Sequence, residues 1–307
     1  MNFFYIPLLT LSLFLAAGSA FAQTTQTEDP EDLLDKLEQA KPEKQASFKI
    51  GINYLSNNVF MGRADTVRTP TIIPDIKYTF KNGIYLSGTV NYIPNRVTNK
   101  LDGGSASLGY NYDITEDLSG GVSFTQLFYT ANSTQIGSAI GSTINANLAY
   151  DIASIITPTV YVDYNFLKQG FGHDIFVNAG LSHDFVIQPV FGGNDLFIIS
   201  PTVALNAGTQ NFYDAYFVLK KYKLTAKALA LESAVESLII KRKDQLSQFK
   251  MLDYEFSAPV EYKMGVLILS FTPTYAVAQN KLPPRVTKGM TNGSGIFYFE
   301  GGAALKF

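Results

Sequence analysis

From residue 47 to the C-terminus, side-chain character alternates with a period of two, and the face opposite the apolar one is small and polar rather than charged. In "INANLAYD", Ile144, Ala146, Leu148 and Tyr150 share one face, while Asn145, Asn147 and Ala149 share the other. "IYLSGTVNY" sets Ile84, Leu86, Val90 and Tyr92 against Tyr85, Ser87, Thr89 and Asn91. Successive residues of a strand point to opposite sides, so the alternation is a strand signal. The chemistry of the second face then separates two environments. A soluble sandwich would place long charged side chains there. Gly, Ser, Thr and Asn, with aromatics near strand ends, fit strands of about 9–11 residues with lipid on one side and a polar lumen on the other. The reading is all-β: an antiparallel transmembrane β-barrel.

Such segments fall at roughly 47–56, 70–80, 83–93, 103–113, 117–129, 138–150, 155–166, 172–185, 195–209, 250–260, 263–277 and 294–307. That makes about twelve strands, with ten to fourteen admitted; a strand pair drawn from "AYFVLKKYKLTAKAL" gives the upper figure. An even number leaves both ends of the barrel on one side. Connections after strands two, four, six and ten are short, as in "KNG" and "DITED", and suit the periplasmic rim. "SNNVFMGRADTVR", "YTANSTQIGS" and "QNKLPPRVTKGMTNG" are longer and fall on the opposite rim. "IQPVFGGND" is an intermediate exception. Between strands nine and ten, Leu224, Ala228, Leu231, Val235, Leu238 and Leu246 recur at helical spacing. Glu232 and Glu236 come early, and Lys241, Arg242 and Lys243 late, as the helix dipole prefers. The expectation is a helical insertion at about 220–247, on the outer side.

The chain opens with "MNFFYIPLLTLSLFLAAGSAFAQ", an apolar core closing on Ala20-Phe21-Ala22. This small-x-small ending reads as a signal peptide over residues 1–22, with Gln23 as the first mature residue. Residues 23–46 form a polar arm, with a short helix expected after Asp29-Pro30. Residues 47–307 form the barrel. Charged residues make up 16% of the chain and the net charge is -2, so no basic surface invites nucleic acid. The absence of Cys removes disulfides, thiolate nucleophiles and cysteine-bound metals.

The signal peptide, the alternating strands and the terminal "LKF" together resemble the outer-membrane β-barrels of Gram-negative bacteria. That resemblance implies lipid and the barrel-assembly machinery as partners and the cell outer membrane as location. It also implies an assembly signal at the C-terminus, here Phe307 with Leu305 and Phe299 on the same face. "INYLSNNVFMG" followed by "PDIKYTFKNGIYLSG" is similar to uncharacterised barrel families in which strand one leads into a V-F-x-G loop.

Strand parity sends Lys49, Asp75, Lys77, Asp163, Asp253, Glu255 and Glu300 into the lumen, along with Asn53, Asn145 and Asn165. Charges there must be hydrated or mutually paired, which makes a channel for small solutes or a hydrophobic substrate one reading. The principal expectation is a structural barrel, or one that binds a protein partner through its helical loop or N-terminal arm. An enzyme is the remote alternative. His173 and His183, ten residues apart on one strand and about 33 Å apart before tilt, share the outward face and cannot form one site. No nucleophile–base pair, metal-ligand spacing or phosphate-binding glycine loop is evident, so neither a metal nor a cofactor is expected.

Three tripeptides place a proline between hydroxyl residues inside strands: Thr157-Pro158-Thr159, Ser200-Pro201-Thr202 and Thr272-Pro273-Thr274. Parity points every proline at lipid and every hydroxyl at the lumen.

Overall fold

The computed structural model describes residues 45–307, apart from 66–67, 98, 131–132, 134, 169–171, 189, 191–194, 213–245, 281–289 and 292–294. Among the described residues, twelve strands pair in sequence order, each antiparallel to the next. They are β1 (Ser47–Leu55), β2 (Thr71–Thr79), β3 (Ile84–Tyr92), β4 (Leu101–Asp113), β5 (Leu118–Tyr129), β6 (Ile140–Tyr150) and β7 (Thr157–Leu167). β8 (His173–Ser182) resumes at Phe185–Ile187, β9 comprises Asp195–Ile199 and Thr202–Gly208, and β10 comprises Lys250–Ser257 and Val260–Met264. β11 (Leu267–Ala278) and β12 (Ile296–Lys306) complete the set.

β12 pairs with β1 from Lys49↔Lys306 to Leu55↔Glu300, which closes the ring. At the seam, Phe48 and Phe307 each donate a backbone N–H to the other's carbonyl, both at 2.9 Å. Closure leaves no strand edge to be satisfied in hydrocarbon. The outer face is apolar at mid-strand, with Ile52, Leu108, Phe124, Ile144, Val162 and Leu205 all exposed. Aromatics sit near strand ends: Tyr78 packs edge-on against Phe80, and Tyr164 against Phe166. This is the belt and girdle of a membrane-spanning barrel. No helix among the described residues is long and apolar enough to cross a membrane; strands are the crossing elements.

The prolines behave as their alternation implies. Thr157, Thr159, Ser200, Thr202, Thr272 and Thr274 are buried on the inner face, while Pro201 is exposed and Pro158 and Pro273 are half-buried. A proline brings no N–H to the ladder, yet its carbonyl still accepts. His183 donates its N–H to Pro201, Ser200 to Pro259 and Ala258 to Pro273, at 3.3, 2.9 and 3.2 Å. The interruptions in β8, β9 and β10 therefore fall in one line across neighbouring strands. Pro259, not singled out by the tripeptide pattern, belongs to the same line.

Two expectations need correction. Strand ten does not end near residue 260, beside Pro259, as the expected span of 250–260 had it. It bends there and runs on to Met264, and the turn into β11 is Gly265-Val266, with Gly265 at φ +59°. A proline resembles a strand terminus in sequence because the ladder bond is lost, but the neighbouring carbonyls bridge the gap. The helical insertion at about 220–247 is likewise not supported: among the described residues, no helical element exceeds the 3-10 turn Ile136–Ala139. Most of that segment (213–245) lies outside the described residues, as does nearly all of the arm at 23–46. Leu246, the last residue of the expected apolar stripe, is buried in the apolar cluster with Phe60 and Phe212, and its carbonyl accepts the Gln210 N–H at 2.7 Å. Apolar spacing alone cannot tell a stripe that caps a barrel from side chains that fill its mouth.

A charge at the middle of the lipid face tests the assignment of sides. Val162→Arg is expected to cost about 2–4 kcal/mol of stability, read as a lowered urea midpoint for refolding into lipid vesicles. The same substitution at a rim position such as Phe185 should cost far less.

Candidate functional site

The lumen is lined by hydroxyl, amide and charged groups because every second residue of each strand points inward. Neighbouring strands join these groups in short ladders. Thr89 and Ser105 share a hydrogen bond of 2.8 Å, as do Ser107 and Thr125. Thr143 donates to Asn165 at 2.7 Å, Asn145 to Asp163 at 2.6 Å, and Asn178 to Asn206 at 2.7 Å. Each pair sits directly opposite in the strand register, where cross-strand side chains are close enough to bond.

The seven lumen candidates alternate with exposed apolar residues such as Ile50, Ile76 and Phe256, and they fall into separate groups. Lys49, Asp75, Lys77 and Glu300 lie half-buried across β12, β1 and β2. There Asn53 donates to Asp75 at 3.1 Å, and the Lys77 ammonium sits 4.8 Å above the Tyr85 ring. Asp75 and Lys49 are the charges that bear on Glu300. Asp163, buried on β7, belongs to the amide ladder. Asp253 and Glu255 are buried on β10. Glu255 accepts a long 3.5 Å bond from the Tyr298 hydroxyl of β12. Among the described residues, no group of three or more His, Asp or Glu side chains is placed to hold a metal ion.

A cluster of buried apolar side chains gathers at the outer end of the barrel. After β1 the chain turns into the barrel as a hairpin, with Val59–Phe60 paired to Arg63–Asp65 and the latter paired to Met290–Thr291 of the last outer loop. Met61 and Gly62 form the turn, at φ +48° and +69°. Two positive-φ residues are what a two-residue primed hairpin turn demands. Gly62 is also required by space, since a Cβ there would lie 2.7 Å from the Asp253 Cβ and 3.0 Å from the Ala278 backbone. Val59, Phe60, Met61 and Ala64 are fully buried. Phe60 stacks edge-on against Phe212 at 4.7 Å and Phe176 at 5.7 Å. Flanking amides hold the hairpin's base: the Thr69 N–H donates to Asn57, and Asn58 donates to Gln135.

Arg63 was read only as part of an outer loop, yet it is 1% exposed. Its guanidinium donates to the carbonyls of Met61, Leu252, Gln279 and Asn280. The signal for it lay in the V-F-x-G stretch itself, whose apolar pair is out of place in a solvated loop. Asp174 was likewise missed, because attention fell on His173 beside it. Its carboxylate accepts the N–H of Asn211 at 2.8 Å and of Phe212 at 2.6 Å, fixing the phenyl ring on which Phe60 rests. The histidines are peripheral, as expected. His173 stacks on Tyr164 at 4.8 Å, and the His183 Nδ1 lies 2.6 Å from the Ile155 carbonyl. At the C-terminus, Leu305 and Phe307 are exposed on the outer face, with Phe299 half-buried on the same side.

No family model matches the sequence, and no curated protein matches it. Solved outer-membrane barrels do resemble it in architecture. The KdgM porin aligns with a TM-score of 0.46 and 9% identity, over 85% of this chain and 99% of its own. The NanC porin gives 0.46 and 10%, over 85% of this chain and 100% of its own. An outer membrane channel from Pseudomonas putida F1 gives 0.46 and 10%, over 88% and 97%. At such identity no residue role carries across. The class, a twelve-strand antiparallel barrel, rests on the closed ring and its apolar outer face.

Because the chain has no Cys, burial of the hairpin can be probed cleanly. Phe60→Cys should react with a water-soluble maleimide far more slowly than an exposed loop cysteine. Adding Gly62→Ala, which forces a Cβ into the wall, should speed that labelling.

Proposed function

We propose that this protein is an outer-membrane channel for small polar solutes, held closed at its outer mouth in this structure. The observation that carries the reading is the lumen itself. Hydroxyls, amides and charges line its strands, and Lys49, Asp75, Lys77 and Glu300 keep partial access to water. A barrel serving only as a scaffold has no need of hydrated charges in its interior, which are costly to retain. The partner-binding reading leaned on the helical loop and the N-terminal arm, nearly all of which lie outside the described residues. We read the barrel as non-enzymatic: its polar groups are spread along ladders rather than gathered around a nucleophile and a base.

Delivery follows the same logic. Residues 1–22 serve as the cleaved signal, which N-terminal sequencing of the mature protein should report as a start at Gln23. Phe307, Leu305 and Phe299 serve as the signal for barrel assembly. Phe307→Ala should slow insertion in vivo, seen as a smaller fraction of the heat-modifiable folded form at unchanged total protein.

Channel function is tested in planar lipid bilayers. The wild type should conduct rarely and in small steps, and replacing residues 57–66 by a short Gly-Ser linker should give large, sustained conductance. Asp163→Asn or Glu255→Gln in that background should alter conductance and ion preference. A folded deletion protein that stays silent at every applied potential would overturn the reading.

A further inference from the structure

The hairpin's turn meets the wall where β10 and β11 approach the outer rim, and the groups gathered there are nearly all acceptors. β10 carries a bulge at this point. Its register with β9 passes from Asn206↔Asp253 to Ala207↔Met251, so Leu252 is an extra residue. Bulges re-aim side chains, and here Leu252 and Asp253 both end up fully buried on the inner side. Glu255, two residues on, faces the same way. Across the gap, β11 runs out into Gln279 and Asn280, the latter at φ +48°, and both carbonyls turn toward the hairpin.

The wall thus offers the carbonyls of Leu252, Gln279 and Asn280 and two buried carboxylates. Asp253 is 0% exposed, and the side chains beside its carboxylate are Asn206, directly across the strand register, and Glu255. Two adjacent buried carboxylates are costly unless a cation attends them. The cation brought to this wall is Arg63. It is delivered by the hairpin and donates to the three wall carbonyls, and the turn beside it packs on Asp253, where a Cβ on Gly62 would lie 2.7 Å from the Asp253 Cβ. A guanidinium is all donors, so the three carbonyls are matched to it.

We propose that Arg63 is a tethered counter-ion occupying a binding site for N–H-bearing cations, ammonium or guanidinium, formed by Asp253, Glu255 and the β10–β11 carbonyls. The hairpin is then a gate. It is closed while Arg63 fills the site and opens when a free cation of the same chemistry takes its place. Once the hairpin leaves, the two carboxylates face the entering solute and favour cations. The inference rests on the channel reading, and its test separates the two.

The experiment uses the full chain in planar bilayers, with wild type, Arg63→Ala, Arg63→Ala/Asp253→Asn and the 57–66 linker variant. Each is first shown to be folded by heat-modifiable mobility. Losing charged hydrogen bonds to the wall should raise the open probability of Arg63→Ala roughly tenfold or more, with cations permeating in preference to anions. Asp253→Asn in that background should reduce the preference. Guanidinium added on the outer side should open the wild type, whereas tetramethylammonium, which carries the charge without an N–H, should not. If the linker variant conducts while Arg63→Ala remains as closed as wild type, the latch is wrong and the channel stands. If guanidinium and tetramethylammonium act alike, the site assignment is overturned. If the linker variant is silent, the channel reading falls and this inference falls with it.

Discussion

The seam between β1 and β12 is the constraint on which the rest depends. In hydrocarbon no water is present to satisfy a backbone N–H or carbonyl, so a sheet must have no free edge. The pairing from Lys49↔Lys306 to Leu55↔Glu300 removes the two edges that eleven hairpin contacts would leave open. Once the ring is shut, every side chain has only two places to go. Odd and even residues are committed to lipid or lumen together, and a slip of one residue anywhere would exchange them. The line of prolines shows how firmly this is held. Pro201, Pro259 and Pro273 give up their ladder donors, yet neighbouring N–H groups still find the proline carbonyls.

Closure creates a second problem, which the mouth of the barrel answers. A lumen wide enough for polar ladders would admit water and solute at both ends. Here the first outer loop is spent on filling the upper opening. Phe60 is gripped by Phe176 and Phe212, Asp174 fixes Phe212, and Arg63 ties the turn to the far wall. The contacts holding the plug thus come from β8, the segment after β9, and the β10–β11 rim. These are distant from β1 in sequence and brought close only by the curvature of the ring.

Much of the fold was legible in advance. The period-two pattern located all twelve strands. It also placed the histidines correctly on the outside. Where the reading failed, a local signal had two physical meanings. Strand ten was expected to stop near residue 260, yet it bends at Pro259 and runs on to Met264. The candidate site was half visible: its carboxylates follow from strand parity, whereas Arg63 and Asp174 do not. One sits in a loop, where alternation carries no information, and the other acts through backbone groups nearly forty residues away.

The sequence by itself determined an all-β chain of about twelve strands and favoured a membrane barrel, because most of residues 47–307 alternate apolar with small polar side chains, as lipid on one face and a polar lumen on the other require. Only the tertiary structure decided that buried apolar side chains gather at its outer end, and which ones. Loops obey no period, and the hairpin's place is set by contacts with strands near the opposite end of the chain. Whether a buried arginine meets the carbonyls of Leu252, Gln279 and Asn280 depends on how a bulge at Leu252 turns the wall toward it, and no spacing in the sequence records that.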